Sequence, residues 1–490
     1  MRKRMTAILL TSVLSLQAAL TAGAASAGST VLDFEQASLV KKDGTIWAWG
    51  NDLSVPTQLP QLTDVKEILA EQFYLKNDNT VWRWERDDRT HRTTTQQVKG
   101  VSGVVSVIVS GKAIYALDPS GDVFSIPFIN ERFAVESAAK ISGASSVTAM
   151  SMYGDYIAGG NQGGRQQLLL LQKDGNVVQR TDEQEAVKPV QGLNGIVSLV
   201  SNFALKSDGT VWALPEEVGS ANEPPAAKQV SGLANIKTFD RSIAIDRSNQ
   251  LWYWGETITG ISDGARLHTQ APIRITTVND VKEAYKVERS LIVLTNGGKL
   301  YQTSIETEKL PANPPFKLID SNVEAVKTGY RHMIYQKTDG SLWGWGVNKA
   351  AQLGYGDFEF EHVSPVPVQK PISIVLNGES VVMSNGVVTR DNQAFVPIRS
   401  VFEKLGAKLN WDNTSKIVTI ERQTSATGPL KITVNYDSGV TTINGEAVQL
   451  PTKPFSSSGT TYLPLRFISE KLGAKVEWMQ KDDQIVMTYE

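Results

Sequence analysis

The sequence predicts a mainly β chain, a seven- or eight-bladed β-propeller followed by a small duplicated α+β domain. Three observations predict it. A turn of the type Asp-Gly-Thr-x-Trp recurs in altered form eight times along the first three quarters of the chain, an alternating apolar run precedes most copies, and the last quarter repeats itself at a constant offset that carries Pro397 onto Pro464. Self-similarity at such spacings marks arrays in which each unit buries its face against the next.

At the amino end, Arg2, Lys3 and Arg4 precede a mostly apolar run from Ala7 to Leu20, and Ala25-Ser26-Ala27 stands before Gly28. This is the order of parts in a secretory signal, so residues 1–27 are expected to be removed and the remainder exported.

The array follows over residues 31–364. Its turns centre on Gly44, Asn79, Gly121, Gly175, Gly209, Asn249, Gly298 and Gly340, with the widest gap between Gly121 and Gly175. Gly, Asn and Asp accept positive φ at least cost, so each copy reads as the tip of a tight hairpin. Runs such as Ile196 to Leu205 and Ile236 to Ile245 alternate with period two and read as the strands entering those turns. The spacing suits a four-stranded blade, and no helical apolar period competes. The first hairpin has no obvious preceding strand, and residues near Phe358 to Val368 are the expected source of one. Nine of the eleven tryptophans lie in these hairpins, four times as Trp-x-Trp. Side chains two apart share a face, so blade packing explains them better than a sugar platform.

The best copy runs from Asp339 to Gly356 as DGSLWGWGVNKAAQLGYG, after Gly329-Tyr330-Arg331-His332 and ending in Gln352-Leu353-Gly354. It resembles the blade motif of the regulator-of-chromosome-condensation propellers, over about residues 31–368, although the other copies lack the Gln-Leu-Gly tail. Nuclear relatives exchange nucleotide on a small GTPase, a partner an exported chain would not meet. Exported bacterial relatives include a tight inhibitor of β-lactamases.

Residues 365–371, Pro-Val-Pro-Val-Gln-Lys-Pro, read as a linker. Beyond it, Ala394 to Trp411 is echoed by Thr461 to Trp478, giving repeats at about 372–421 and 430–490. Pro397 and Pro464 open a helical turn in each, and Gly406 and Gly473 close it. Arg399 with Glu403 and Arg466 with Glu470 read as ordinary i,i+4 ion pairs. The stretch 372–490 resembles the copper amine oxidase N-terminal-like domain, a stalk module of exported proteins from Gram-positive, spore-forming bacteria. Copper favours imidazole or thiolate, yet the chain has no cysteine and its four histidines, His91, His268, His332 and His362, all precede this domain. No metal and no other cofactor is expected.

Composition narrows the function classes. With 49 basic and 51 acidic residues the charge is −2, without a basic stretch that would favour nucleic acid. No segment after the signal is long and apolar enough to span a bilayer. No Gly-x-Ser-x-Gly elbow, His-Glu-x-x-His helix, phosphate loop or dinucleotide fingerprint is present, so no catalytic residues are assigned.

The leading expectation is a monomeric, secreted or wall-associated binding protein of a Gram-positive bacterium. A rim of the propeller would recognise a protein or wall polymer, and the stalk would act as spacer or attachment. A secreted enzyme inhibitor and a hydrolase with an unrecognised site are the alternatives. Aligning the breaks between paired apolar runs places Glu71, Phe73, Lys112, Tyr153, Asp155, Asn202, Arg241, Arg289, Tyr330 and Arg331 on the rim.

Overall fold

The structure is a computed structural model that describes residues 30–70, 72–87, 93–157, 164–181, 186–218, 226–261, 264–423, 429–450, 452–457 and 459–489. The expected signal segment and Glu71 lie outside these residues. The chain divides into two compact units, Val65–Glu324 and the described part of Ala25–Asp64 with Ala325–Glu490.

Residues 31–367 form eight sheets of four or five strands, one for each turn copy and in chain order, the blade-like repetition of a β-propeller. The fifth sheet is representative, with Ile196–Val200, Phe203–Lys206, Val211–Ala213 and Lys228–Gln229 in spatial order. Ile196 and Leu199 of its first strand are buried, while Lys228 and Gln229 at the outer edge are exposed. The first strands of six sheets share a bulge after their first residue, which leaves one residue, such as Val197 or Lys237, unpaired on the strand.

Within Val65–Glu324 each sheet packs its apolar face on the next. Leu75 and Val81 of the second sheet meet Val107 and Ile114 of the third, and the same holds through to Tyr253 of the sixth sheet and Leu291 of the seventh. A backbone joint recurs along the array from the third sheet to the eighth. The first-strand amides of Val147, Ile196, Ile236, Val281 and Val323 donate to the carbonyls of Gly121, Gly175, Gly209, Asn249 and Gly298 in the preceding turn, at 2.9–3.0 Å. To reach it, Ser146, Gly195, Asn235, Asp280 and Asn322 each take φ between 54° and 63°. At the four glycine turns the residue thus serves twice, by its own positive φ and by this close approach, while Asn249 (φ 56°) takes the place in the fifth.

The turn tips carry a second repeated device. In the first, second, fifth and eighth sheets the Trp Nε1–H donates to a Thr or Ser hydroxyl at 2.9–3.1 Å, and that hydroxyl donates to the turn Asp at 2.6–2.7 Å. Lys41, Lys76, Lys206 and Lys337 lie over the respective indoles, 4.1–5.9 Å from the centroid. All four indoles thus hold their turns, and Trp47 and Trp212 also pack in the clusters between sheets.

The first sheet is complete without borrowing. Val31–Glu35 supplies its first strand, while Glu361–Pro367 is the outer strand of the eighth sheet, so the expected loan from residues near Phe358 to Val368 is not made. Pro365 to Pro367 accordingly belong to a strand. Val368 is buried in the core shared by the first and eighth sheets, and Gln369 Nε2 donates to the carbonyls of Tyr355 and Thr389. The segment expected as a linker is built into the fold.

The C-terminal domain has three sheets, two short helices at Ile398–Phe402 and Leu465–Lys471, and a core from Ile372 to Met487. Its two repeats are intertwined. Val396 faces Leu463, its own counterpart in the second repeat, across an antiparallel pair. The opening strand of the first repeat, Ser373–Leu376, pairs in parallel with Gln484–Thr488, the last strand of the second. In the other half Leu430–Asn435 is inserted between the corresponding elements and breaks the symmetry. The Arg399–Glu403 and Arg466–Glu470 pairs form on exposed faces at 3.4 and 3.9 Å.

The turns can be tested by substitution and by pH. Gly192 (φ +83°) has open space where a Cβ would go, whereas a Cβ on Gly209 (φ +85°) would lie 3.0 Å from Asn235 Cα and Ile236 N. Gly192→Ala should lose about 1 kcal/mol from backbone strain alone, and Gly209→Ala at least about 2 kcal/mol, read by urea unfolding. Hydrogen bonds from Thr80, Thr210 and Ser341 hold the Asp78, Asp208 and Asp339 carboxyls below the ordinary value of 3.8. Their contribution is complete above that value and is lost as pH falls through the depressed one. Replacing all three by Asn should flatten the acid limb of a stability–pH curve below about pH 4, where the wild-type curve declines.

Candidate binding surface at the loop ends of the sheets

Antiparallel order gives every sheet two unlike ends. The Asp-Gly turns occupy one; the turn between first and second strands and the loop between third and fourth share the other. Turn residues at the first end, among them Asp78, Asp174, Asp208 and Asp339, are exposed and polar. Large exposed apolar side chains occur at both, Leu32, Val105, Val197 and Leu318 lying by the turns, but the exposed aromatic ones among the described residues of the eight sheets all stand at the second. In Val65–Glu324 the apolar side chains at the second end are Phe128, Ile129, Tyr156, Ile261 and Leu267.

In the eighth sheet the corresponding group is Tyr330, Phe360 and Val363, exposed by 84%, 59% and 70%. The Arg331 guanidinium lies 5.8 Å from the Phe360 ring centroid, and Trp345 Nε1–H donates to the Val363 carbonyl. The Gly329 to His332 loop presents Tyr330, and the entry to the strand Glu361–Pro367 presents Phe360 and Val363. A Cβ on Gly329 would sit 2.4 Å from the His332 ring, so only glycine lets the imidazole fold under the loop and turn Tyr330 outward. Burial pushes His332 down to about 4, so the ring is neutral near pH 7.

Of the residues expected on the rim, Lys112, Arg241 and Tyr330 are exposed, and Arg289 and Arg331 are partly so. Arg289 also has a structural job, since its Nη1 donates to the Gly260 carbonyl and to Glu306. Four others are buried and cannot meet a partner directly. Phe73 (3% exposed) starts a strand, with the Arg83 guanidinium 5.9 Å from its ring. Asn202 donates from Nδ2 to the Leu214 carbonyl and holds its turn. Tyr153 and Asp155 (2% and 1% exposed) fall inside the long strand Val147–Ile157, because the fourth sheet continues past the break at Gly154. Arg165 grips Asp155 through two bonds of 2.9 and 2.8 Å, and Gln167 adds a third. Phe360 and Ile261 were missed because they lie on third-to-fourth-strand connections, and Val363 and Leu267 because they lie near the start of the fourth strands, all away from the aligned breaks.

No group of three or more His, Cys, Asp or Glu side chains able to hold a metal occurs among the described residues. The donors of the C-terminal domain do not fit copper, since residues 372–490 contain neither histidine nor cysteine. No helix among the described residues is long and apolar enough to cross a membrane.

Protonation of His332 gives a testable pH dependence. Its folded value lies below the ordinary 6.5, so the unfolded chain takes up the proton first and stability falls as pH drops from about 6.5 to about 4. The slope is at most about 1.4 kcal/mol per pH unit, and His332→Gln should remove it in chemical denaturation across this window.

Comparison with known proteins covers both parts of the chain. The family described as the copper amine oxidase N-terminal domain matches residues 375–487. The ultraviolet-B receptor UVR8 of Arabidopsis thaliana is 27% identical over 146 residues, 27% of this chain and 33% of the receptor, so the match spans about a third of that relative's length. Among solved structures, yeast RCC1 (Prp20) bound to Kap60 aligns at 17% identity and TM-score 0.41, covering 66% of this chain and 83% of that one. Prp20p of Saccharomyces cerevisiae, from a study of its binding to Gsp1p and histones, aligns at 14% and 0.41, covering 70% and 90%. The chain is thus similar to regulator-of-chromosome-condensation repeats along its sheets and to the copper amine oxidase N-terminal domain over residues 375–487.

Proposed function

We propose that this chain is an exported, non-catalytic binding protein that recognises another protein through the loop ends of its sheets. The observation that supports this reading most is the unequal character of the two ends. The exposed aromatic side chains among the described residues of the eight sheets, Phe128, Tyr156, Tyr330 and Phe360, all stand at the loop ends, with Arg331 beside Phe360, while polar turns and scattered aliphatic side chains occupy the other. Aromatic residues and arginine are enriched in protein interfaces and dominate their energetics. Export is supported by the basic, apolar and small-residue order of residues 1–27. Attachment to the surface or wall of a Gram-positive cell is the role proposed for the C-terminal domain. A spacer is disfavoured, because that domain packs against the first sheet through Val55.

Residues 28–490, immobilised and exposed to secreted and envelope fractions, should retain a protease-sensitive partner. The double variant Tyr330→Ala/Phe360→Ala should weaken its binding by about 30-fold, as expected for two central aromatics, and Thr338→Ala at the polar turn of the same sheet should leave it unchanged. Undiminished binding by the double variant would remove the site. Retention of a protease-resistant glycan would replace protein by wall polymer, and release of product from a glycan or peptide would argue for an enzyme.

A further inference from the structure

The first and eighth sheets meet at a seam that no strand crosses. Each is built from its own segment, and they are held together by side chains and loops. Trp47, Trp49 and Leu39 pack against Ile334, Leu342 and Leu353. Trp49 Nε1–H donates to the Gln352 carbonyl at 2.8 Å, the Asn51 amide to the Ala350 carbonyl at 2.9 Å, and Lys327 pairs with Glu35 at 2.6 Å. A Cβ on Gly354 would lie 3.1 Å from the Trp49 ring, so the Gln352-Leu353-Gly354 tail is shaped to receive that indole.

The C-terminal domain covers this seam with a built contact. Asn385 is buried, donates to Ser54 Oγ and the Asp52 carbonyl, and accepts from Thr57 Oγ1. The next residue, Gly386, runs so close to the first sheet that a Cβ would sit 2.0 Å from the Pro56 carbonyl oxygen. Val55 of the first sheet is fully enclosed with Val388, Phe395 and Tyr462 of the domain. At a separate point Lys41 Nζ donates to the Asp482 carbonyl and Thr30 Oγ1 to Asp483. The eighth sheet's loop is engaged as well. Gly356 approaches both Val55 and Val388, and Gln369 bridges the Tyr355 carbonyl and Thr389.

We propose that the C-terminal domain is the closing element of the seam, performing by docking what a strand shared between first and last sheets would otherwise do. Two features argue against an incidental contact. The domain touches both sides of the seam, and the buried Asn385 and sterically obligatory Gly386 have no reason to be where they are unless the domain stays docked. A tether that swings free would leave Asn385 solvated and any residue acceptable at 386.

The test is hydrogen exchange on the full chain, comparing wild type with Asn385→Ala, Gly386→Ala and the exposed control Arg466→Gln. Both seam variants should speed exchange of residues 31–58 by about tenfold or more, since buried hydrogen bonds or close packing are lost. Exchange of Ile417–Arg422 and Leu430–Asn435 in the domain core, of Ile236–Asp240 in the sixth sheet, and of all peptides in the control should stay as in wild type. Unchanged exchange of residues 31–58 in both seam variants would overturn the proposal. Should Gly386→Ala lose protection throughout the chain, Asn385→Ala decides the matter by the same two outcomes.

Discussion

The fold depends on a backbone joint that recurs between sheets, an amide at the start of one donating to a turn carbonyl of the one before. It ties adjacent units at a point where side chains alone would allow them to slide. The joint imposes the chemistry of its neighbourhood. A residue able to take positive φ must precede each strand, a glycine or asparagine must offer the carbonyl, and the turn must be held still, as the Asp, Thr and Trp relay does in the fifth sheet. The repeated sequence motif is the record of that geometry. Once sheets are locked at this end, their opposite ends are free to vary, and that is where the exposed aromatic side chains among the described residues of the eight sheets lie.

The seam between first and eighth sheets answers the same need by different means. The Gln-Leu-Gly tail is kept only in the last repeat, where Leu353 is buried and Gly354 accepts the Trp49 ring. The C-terminal domain meets the same place through Val55, Asn385 and Gly386. Its own two repeats are interlaced by the pairing of Ser373–Leu376 with Gln484–Thr488, which makes the domain one body rather than two beads.

Much of this was legible in the sequence. The eight turn copies, four of them Asp-Gly, the alternation of the strands, and the echo of Ala394 to Trp411 in Thr461 to Trp478 each have one physical interpretation, and the structure agrees with it. What was not legible depended on direction or distance. Break alignment located turns, but a shift of one residue on a strand reverses the side chain, which is why Phe73 points inward. Tyr153 and Asp155 were misplaced because nothing local announces that their strand runs on to Ile157. The left-handed Ser146, Asn235, Asp280 and Asn322 were visible as residues but meaningless without the partner carbonyl in the preceding repeat. The packing of Val55 on Phe395 and Tyr462 joins opposite ends of the chain, beyond the reach of any local pattern.

The joint itself can be measured in the unmodified protein. Residue-level amide exchange should find the N–H groups of Val147, Ile196, Ile236 and Val281 among the slowest in the chain, although each stands at the very start of a strand where amides ordinarily fray. Exchange of these four at the rate of exposed loop amides would contradict the account.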